Sequence, residues 1–109
     1  MIKNFDISNL VLESLYDVRR TNHTAGTSAE AVAAHCALII RKSGKSVYRS
    51  GKSSFTVNSD KVIFIAKGTP YSMKVEKAGE CTVVEFDVSE EQLSRELEGG
   101  GICEYQITG

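Results

Sequence analysis

Short apolar segments alternate with turn-forming residues across the middle of the chain. From His35 to Asp87, Gly, Ser, Asn or Pro separates one apolar segment from the next at intervals of roughly 8–12 residues, which is typical of an all-β barrel or sandwich. A small closed barrel has an interior with room for a ligand, so this pattern also bears on function. The apolar segments are Cys36–Ile40, Phe55–Val57, Val62–Ala66, Tyr71–Val75 and Cys81–Val88.

The segments before this region are less regular. Between residues 5 and 24, Leu10, Leu12, Tyr16 and Val18 alternate with mostly polar or small residues, which favours a strand over a helix. Residues 24–34 allow two interpretations. A Thr-Ser-Ala-Glu capping box before an alanine-rich run predicts a helical turn, and a loop that joins two strands is the alternative.

One short helix is expected after the β-rich region. Ser89 begins a capping box with Gln92, and two leucines follow one helical turn apart. Gly99-Gly100-Gly101 then ends the helix. The alternation in Ile102–Ile107 predicts a return to the sheet.

Composition indicates a single domain without a nucleic-acid-binding surface. The chain has 109 residues and a net charge of −1, with 13 basic and 14 acidic residues and no basic run. A duplex-binding surface needs clustered cations to neutralise phosphates, so direct binding to nucleic acid is not expected. We see no signal-peptide pattern at the N-terminus and no apolar stretch near the roughly 20 residues of a membrane span.

The three cysteines, Cys36, Cys81 and Cys103, are widely spaced and odd in number. This argues against a disulfide framework, and the absence of a Cys-x-x-Cys or His/Cys cluster argues against a metal-binding role. We therefore expect them to be small buried apolar residues in a reducing, cytoplasmic environment.

Two segments of the chain resemble a known family. His35–Lys45 (HCALIIRKSGK) resembles the first barrel segment of cupins, and more specifically the amino-terminal sensing domain of AraC-type transcriptional regulators. Val62–Tyr71 (VIFIAKGTPY) and Glu85–Val88 are similar to later strands of that domain. The resemblance covers residues 35–88 well and the flanks loosely. It implies an all-β, cupin-like double-stranded β-helix, or jelly roll, that spans residues 1–109 as one sensing domain.

Cupins bind metal at positions from which this chain departs. When the cupin H-x-H-x3-E pattern and its second-motif histidine are aligned through His35, the other positions are Ala37, Arg41 and Tyr71. Three or four nitrogen, oxygen or sulfur ligands must converge on a divalent ion, and Arg41 would place a permanent cation among them. We therefore expect no metal, no cofactor and none of the metal-dependent chemistries of the wider superfamily.

The same alignment selects candidate ligand-binding residues on the first barrel strand. Side chains alternate along a strand, so His35, Ala37, Ile39 and Arg41 share one face, which the resemblance turns into the barrel. Arg41 at the barrel mouth could clasp a carboxylate, a phosphate or sugar hydroxyls. The alternatives are a solvated strand-end arginine or one paired with Glu85. For His35 the alternative to ligand binding is a hydrogen-bonded structural histidine.

Three further candidates lie on later strands. Tyr71 stands where the second-motif histidine would be and is suited to stacking on a sugar-like ligand, although a core aromatic with a satisfied hydroxyl is the alternative. Tyr48 and Met73 are either pocket or core residues. His23 lies in the part of the chain that folds over the pocket in AraC-type regulators, but its polar neighbours favour a surface turn.

No catalytic pattern is visible in the sequence. It has two histidines and no G-x-S-x-G motif, and its glycine triplet lacks the following Lys-Ser/Thr of a phosphate-binding loop. The resemblance implies a non-enzymatic domain that binds a sugar or small organic acid, forms a homodimer and controls two helix-turn-helix units outside this chain. The abrupt ending at Thr108-Gly109 fits a piece of such a longer regulator.

Two alternatives from other classes stay open. One is a metal-independent cupin enzyme of the epimerase or lyase type, with His35 and Tyr71 as its proton-transferring pair. The other is a carbohydrate-binding or dimerisation module without a signalling role.

Overall fold

The computed structural model describes residues 2–4, 14–59, 61–87 and 101–106, and within these ranges the regular structure consists of ten β-strands. None of the described residues belongs to a helix that could cross a membrane. The helix predicted to begin at Ser89 lies outside the described residues. In chain order the strands are β1 (Ile2–Asn4), β2 (Ser14–His23), β3 (Ser28–Val32), β4 (Cys36–Arg41), β5 (Lys45–Ser50), β6 (Ser53–Val57), β7 (Lys61–Ile65), β8 (Pro70–Lys77), β9 (Gly79–Asp87) and β10 (Ile102–Gln106).

The strands form two packed sheets. The larger sheet has the order β1-β10-β7-β4-β9-β2, and the smaller has the order β3-β8-β5-β6. Neighbouring strands are antiparallel except for β1 and β10, which run parallel. The predicted all-β class and the predicted strands from residue 36 onward are confirmed for the described residues.

The middle of the larger sheet is apolar on both faces. Strand β4 pairs with β7 on one side and β9 on the other, and four of its first five residues are buried. Ala37 and Ile39 pack between the sheets against Tyr48 of the smaller sheet. Cys36 and Leu38 point the opposite way and pack with other buried residues of the larger sheet. Continuous apolar segments such as β4 are expected where a strand is covered on both faces.

Residues 28–32 form an edge strand, so the predicted helical turn was wrong, and the loop between strands is found only at residues 24–27 and 33–34. Strand β3 pairs with β8 along its whole length, from Ser28 opposite Lys74 to Val32 opposite Pro70. All five of its side chains are exposed. The hydrogen-bond ladder with β8 outweighs the helix-capping signal, which has only local contacts to support it.

The connection between β2 and β3 joins the edges of the two sheets. Strand β2 is the last strand of the larger sheet, and β3 is the first of the smaller. The intervening residues 24–27 are held against β8, where the Gly26 amide donates to the Val75 carbonyl and the Val75 amide to the Thr27 carbonyl, both at 2.8 Å. One continuous segment therefore borders the space between the sheets.

The three cysteines are free thiols. Cys36 and Cys81 are buried, and Cys103 is half-buried. The prediction of small buried residues without disulfide bonds is confirmed for Cys36 and Cys81.

Candidate functional site

A cavity of about 320 Å³ lies between the sheets and is lined by residues of both. Pockets that bind small molecules occupy about 300–1,000 Å³, so this cavity is near the lower limit. Much of its wall is apolar. The residues of this apolar part include Ala29, Ala33, Ile39, Ile65, Met73 and Val83.

Strand β2 contributes three neighbouring polar residues to the wall. Arg19, Thr21 and His23 all line the cavity, because alternate side chains of a strand point to the same face. Their partners on β9 are Val83, Cys81 and Gly79, which carry no charge. The edge strand of the larger sheet therefore supplies much of the hydrogen-bonding capacity of the cavity.

Arg19 and Glu85 form an ion pair at the cavity wall. Asp17 lies opposite Glu85 on the neighbouring strand, and its Oδ2 is 3.1 Å from the same Nη1 of Arg19. The Glu85 side chain is only 15% exposed, whereas that of Arg19 is 51% exposed. Partial burial alone would lower the pKa of Arg19, but the hydrogen bonds and charges of Glu85 and Asp17 raise it. One guanidinium is thus shared by two carboxylates.

Two tyrosines line the cavity from the smaller sheet. The ring centroids of Tyr48 and Tyr71 are 5.8 Å apart, with the planes tilted by 33°. Burial raises the pKa of both phenols. At Tyr71 the charge of Glu85 raises the pKa further, and that of Arg19 opposes it. The Tyr71 hydroxyl is therefore neutral at physiological pH and lies near the Arg19–Glu85 pair.

His35 lies immediately before β4, where it lines the cavity and contacts two groups at its rim. Its Nδ1 is 3.1 Å from Oδ1 of Asp87. Its ring stacks on Tyr16, with centroids 3.9 Å apart and an interplanar angle of 20°. Tyr16 is the residue at which the register of β2 against β9 shifts, and such bulges redirect side chains. The bulge accounts for a 61% exposed tyrosine lying against the histidine.

Arg41 does not line the cavity, although the sequence placed it at the barrel mouth. It is 2% exposed, and it is neither solvated nor paired with Glu85. Its Nε donates to Oγ of Ser46 at 3.0 Å and its Nη1 to the Ser43 carbonyl at 3.1 Å. Arg41 is the last residue of β4, and its guanidinium bonds to the β4–β5 turn at Ser43 and to β5 at Ser46. The shared face was assigned correctly, but its position along the barrel was not.

His23 is the third partner of Arg41, and the surface-turn interpretation of this histidine was wrong. It is the last residue of β2 and lines the cavity. Its Nδ1 is 3.0 Å from Nη2 of Arg41, and since arginine can only donate, Nδ1 accepts. Burial lowers the pKa of His23, and the positive charge of Arg41 lowers it further. His23 is therefore a neutral side chain whose second ring nitrogen carries the proton.

Four of the five ligand-binding residues predicted from the sequence line this cavity: His35, Tyr48, Tyr71 and Met73. Sequence reasoning missed Arg19, Thr21 and Glu85. The strand predicted around Val18 continues through residue 23, and extending it would have placed the first two on one face with His23. Within the described part of the chain, no three His, Cys, Asp or Glu side chains converge as a metal site.

No protein-family model and no curated protein matches the sequence. Among solved structures, ToxT from Vibrio cholerae superposes with a TM-score of 0.62 at 11% identity, over 88% of this chain and 43% of ToxT. The structure of ToxT with an unsaturated fatty acid bound superposes with a TM-score of 0.58 at 10% identity, over 99% of this chain and 44% of ToxT. The cupin domain of Schizosaccharomyces pombe Cnp3 superposes with a TM-score of 0.55 at 15% identity, over 84% of this chain and 73% of the cupin-domain chain.

The fold is cupin-like. The predicted jelly roll is confirmed, and ToxT is an AraC-family regulator with a cupin-like amino-terminal domain, so the predicted resemblance appears in the fold as well. The chain spans about two fifths of the length of ToxT. Identities this low establish shared architecture, and function must be argued from the cavity.

Proposed function

We propose that this chain is the small-molecule-sensing domain of an AraC-type transcriptional regulator. The observation that carries the proposal is the cavity between the sheets, which combines an apolar wall with a polar edge. The fold supports it, because ToxT has been solved with an unsaturated fatty acid and with (E)-4-(8-methylnaphthalen-1-yl)but-3-enoic acid. A cytoplasmic homodimer and two helix-turn-helix units outside this chain belong to the same proposal.

The ligand contacts in this proposal are the predicted residues that line the cavity, together with the polar residues of β2. Tyr48 and Met73 contact the apolar body of the ligand, and Tyr71 offers a neutral hydroxyl. His35 bounds the cavity near its rim. Arg41 acts indirectly, because its guanidinium fixes the ring of His23.

Signalling requires two arrangements that bind the ligand with different affinities. The cavity touches β2 and β3, which are edge strands of opposite sheets and are joined directly through residues 24–27. A ligand between them would fix the position of one edge relative to the other. In the proposal, this change is passed to the dimer and to the DNA-binding region.

Filling the cavity tests the proposal. Ala29 lines the cavity from an exposed edge strand, so Ala29→Trp places an indole in the ligand space at little cost to folding. Ser28→Trp is the matched control, because the adjacent side chain on a strand points to the opposite face. We expect members of a fragment library to shift amide resonances of β2, β3 and β8 in the wild type and in Ser28→Trp. In Ala29→Trp their affinity should fall at least tenfold.

Two outcomes would count against sensing. If no fragment perturbs the cavity-lining residues of the wild type, the cavity is not a binding site. If fragments bind but leave operator binding by the full-length protein unchanged in a mobility-shift assay, the domain binds ligands without a regulatory role.

A second candidate function has one observation in its favour. The ring of His35 meets the Asp87 carboxylate beside a cavity that Tyr71 also lines, and a histidine oriented by a carboxylate is a common general base. If wild-type protein converts a bound fragment to product, and Tyr71→Phe and His35→Asn retain binding but stop conversion, the metal-independent enzyme replaces the sensor.

A further inference from the structure

We infer that Glu85 sets the charge preference of the cavity by withdrawing Arg19 from carboxylate recognition, so that the ligand is an uncharged molecule with an apolar body and hydroxyl groups. The inference rests on the proposed ligand-binding function and narrows its ligand class, since the sequence left sugars and organic acids equally open.

Arg19 is the one arginine or lysine among the described residues that line the cavity. Its Nη1 contacts Glu85 within the cavity wall and Asp17 at 3.1 Å. A ligand carboxylate at this guanidinium would be the third anion around one cation and would lie beside Glu85. Like charges at such short range disfavour binding, whereas a hydroxyl can donate to Glu85 and accept from Arg19 at once.

Burial makes the negative member of the pair dominant on the cavity side. The Glu85 side chain is 15% exposed and the Arg19 side chain 51% exposed, so solvent screens the positive charge more strongly. The pKa of Tyr71 shows which of the two charges acts more strongly on the cavity. After burial, the charge of Glu85 is the larger influence on the pKa of its phenol, and the opposing charge of Arg19 is the smaller.

Most of the remaining polar side chains described in the cavity wall carry no positive charge for an anion to meet. Thr21 and Tyr71 offer neutral hydroxyls, and the Arg41 contact keeps His23 neutral. Asp87 faces the ring of His35. Arg41 lies behind His23 and directs its N–H groups toward Ser46, the Ser43 carbonyl and His23. The polar wall therefore presents mixed donors and acceptors, which suit hydroxyl groups.

The test uses two probes with one carbon skeleton, 3-phenylpropan-1-ol and 3-phenylpropanoate, titrated calorimetrically at neutral pH. Wild-type protein should bind the alcohol at least tenfold more tightly than the carboxylate. Glu85→Gln keeps the side-chain shape and leaves Asp17 to hold Arg19. This variant should bind the carboxylate at least tenfold more tightly than the wild type does.

Two further variants assign that gain to Arg19. In the double variant Arg19→Gln/Glu85→Gln the improved carboxylate binding should disappear, because the cation is gone. Glu80→Gln removes a carboxylate from the same strand, near Arg20 and away from the cavity, and should retain the wild-type preference. If Glu85→Gln does not fold, Arg19→Gln alone should weaken carboxylate binding further, because Glu85 then loses a cationic partner.

Three results would overturn the inference. They are tighter binding of the carboxylate than of the alcohol by the wild type, an unchanged preference in Glu85→Gln, and no measurable binding of the alcohol. In each case the proposed function still stands if other fragments perturb the cavity-lining resonances. The proposed function fails only if no fragment perturbs those resonances, which is a separate result.

Discussion

Arg41 is nearly fully buried, and the three partners that its guanidinium binds are neutral: a serine hydroxyl, a backbone carbonyl and a histidine ring. Hydrogen bonds that involve a charged group are each worth about 1.5–3 kcal/mol, and their loss leaves the partners unsatisfied. This makes the arginine a structural residue that links β4 to β2, β5 and the β4–β5 turn.

Arg41→Ala should lower the free energy of unfolding by about 3 kcal/mol, since it removes a buried side chain with three hydrogen bonds. Urea denaturation measures the change. Arg49→Ala, at an exposed position of β5, is the control and should change stability by less than about 0.5 kcal/mol. A loss from Arg41→Ala no larger than that of the control would show that the buried contacts contribute nothing.

His23 should make stability depend on pH in the mildly acidic range. Burial and Arg41 lower its pKa in the folded state below the ordinary value of 6.5, so the unfolded chain takes up the proton first. Stability is therefore full above 6.5, begins to fall as the pH drops through 6.5, and stops falling below the lower folded pKa. His23→Asn preserves an acceptor for Arg41 and does not titrate.

The difference in unfolding free energy between His23→Asn and the wild type, measured from pH 8 to pH 5, isolates this contribution. It should be constant above pH 7 and should shift in favour of the variant below pH 6.5. A difference that does not change with pH would mean that His23 has the same pKa in both states.

For single residues, the sequence predicted which side chains share a face of a strand better than it predicted which of them reach the cavity. Alternation on β4 correctly grouped His35 with Ala37 and Ile39. It could not show how far along the strand the cavity extends, which depends on where the second sheet closes over the first. Arg41 was misplaced for that reason. The Arg19–Glu85 pair was missed because it joins strands distant in sequence.

Among the elements, the β4–β5 turn packs tightly on the β8–β9 turn. Gly44 adopts a left-handed conformation with φ of 81°, and a Cβ there would lie 2.7 Å from the carbonyl oxygens of Lys77 and Ala78. Ser43 adds a hydrogen bond from the Glu80 amide to its Oγ, at 3.0 Å. The two turns therefore need a residue without a side chain at position 44.

Gly44→Ala should destabilise the fold by about 3 kcal/mol, because left-handed strain and a clash with backbone atoms add together. Gly51→Ala is the matched comparison. Gly51 is also left-handed, at 59°, but a Cβ there meets no atom within 4 Å, so about 1 kcal/mol is expected. Thermal and urea unfolding of both variants measure the difference. Equal losses would show that strain alone, and not the contact between turns, requires the glycine.

The strands from β4 to β9 could be predicted because their apolar segments end at glycine, serine and proline, which mark turns regardless of tertiary context. Strand β3 could not. The alternation in Ser-Ala-Glu-Ala rests on two alanines, which are weak strand formers, and the strand conformation depends on hydrogen bonds to β8, about forty residues later. An exposed edge leaves too weak a hydrophobic signal.

For the whole molecule, the cupin-like architecture and four cavity-lining residues could be anticipated from residues 35–88, while the full extent of the cavity could not. Its volume and lining depend on the separation of two sheets and on β2, which lies outside that resemblance. The cavity also borders edge strands on both sides, β2 in one sheet and β3 in the other. A bound molecule would thus contact the parts of the sandwich with the fewest neighbours.

Among the described strands, β2 pairs with β9 alone, and it carries much of the polar chemistry of the cavity on its alternate positions. Sequence change at Arg19, Thr21 and His23 therefore tends to spare the apolar core on β4 and β7, so selectivity can diverge while the scaffold persists. Selection experiments could randomise these three codons alone to redirect the cavity toward chosen small molecules, and biosensor engineering could begin from the same short library.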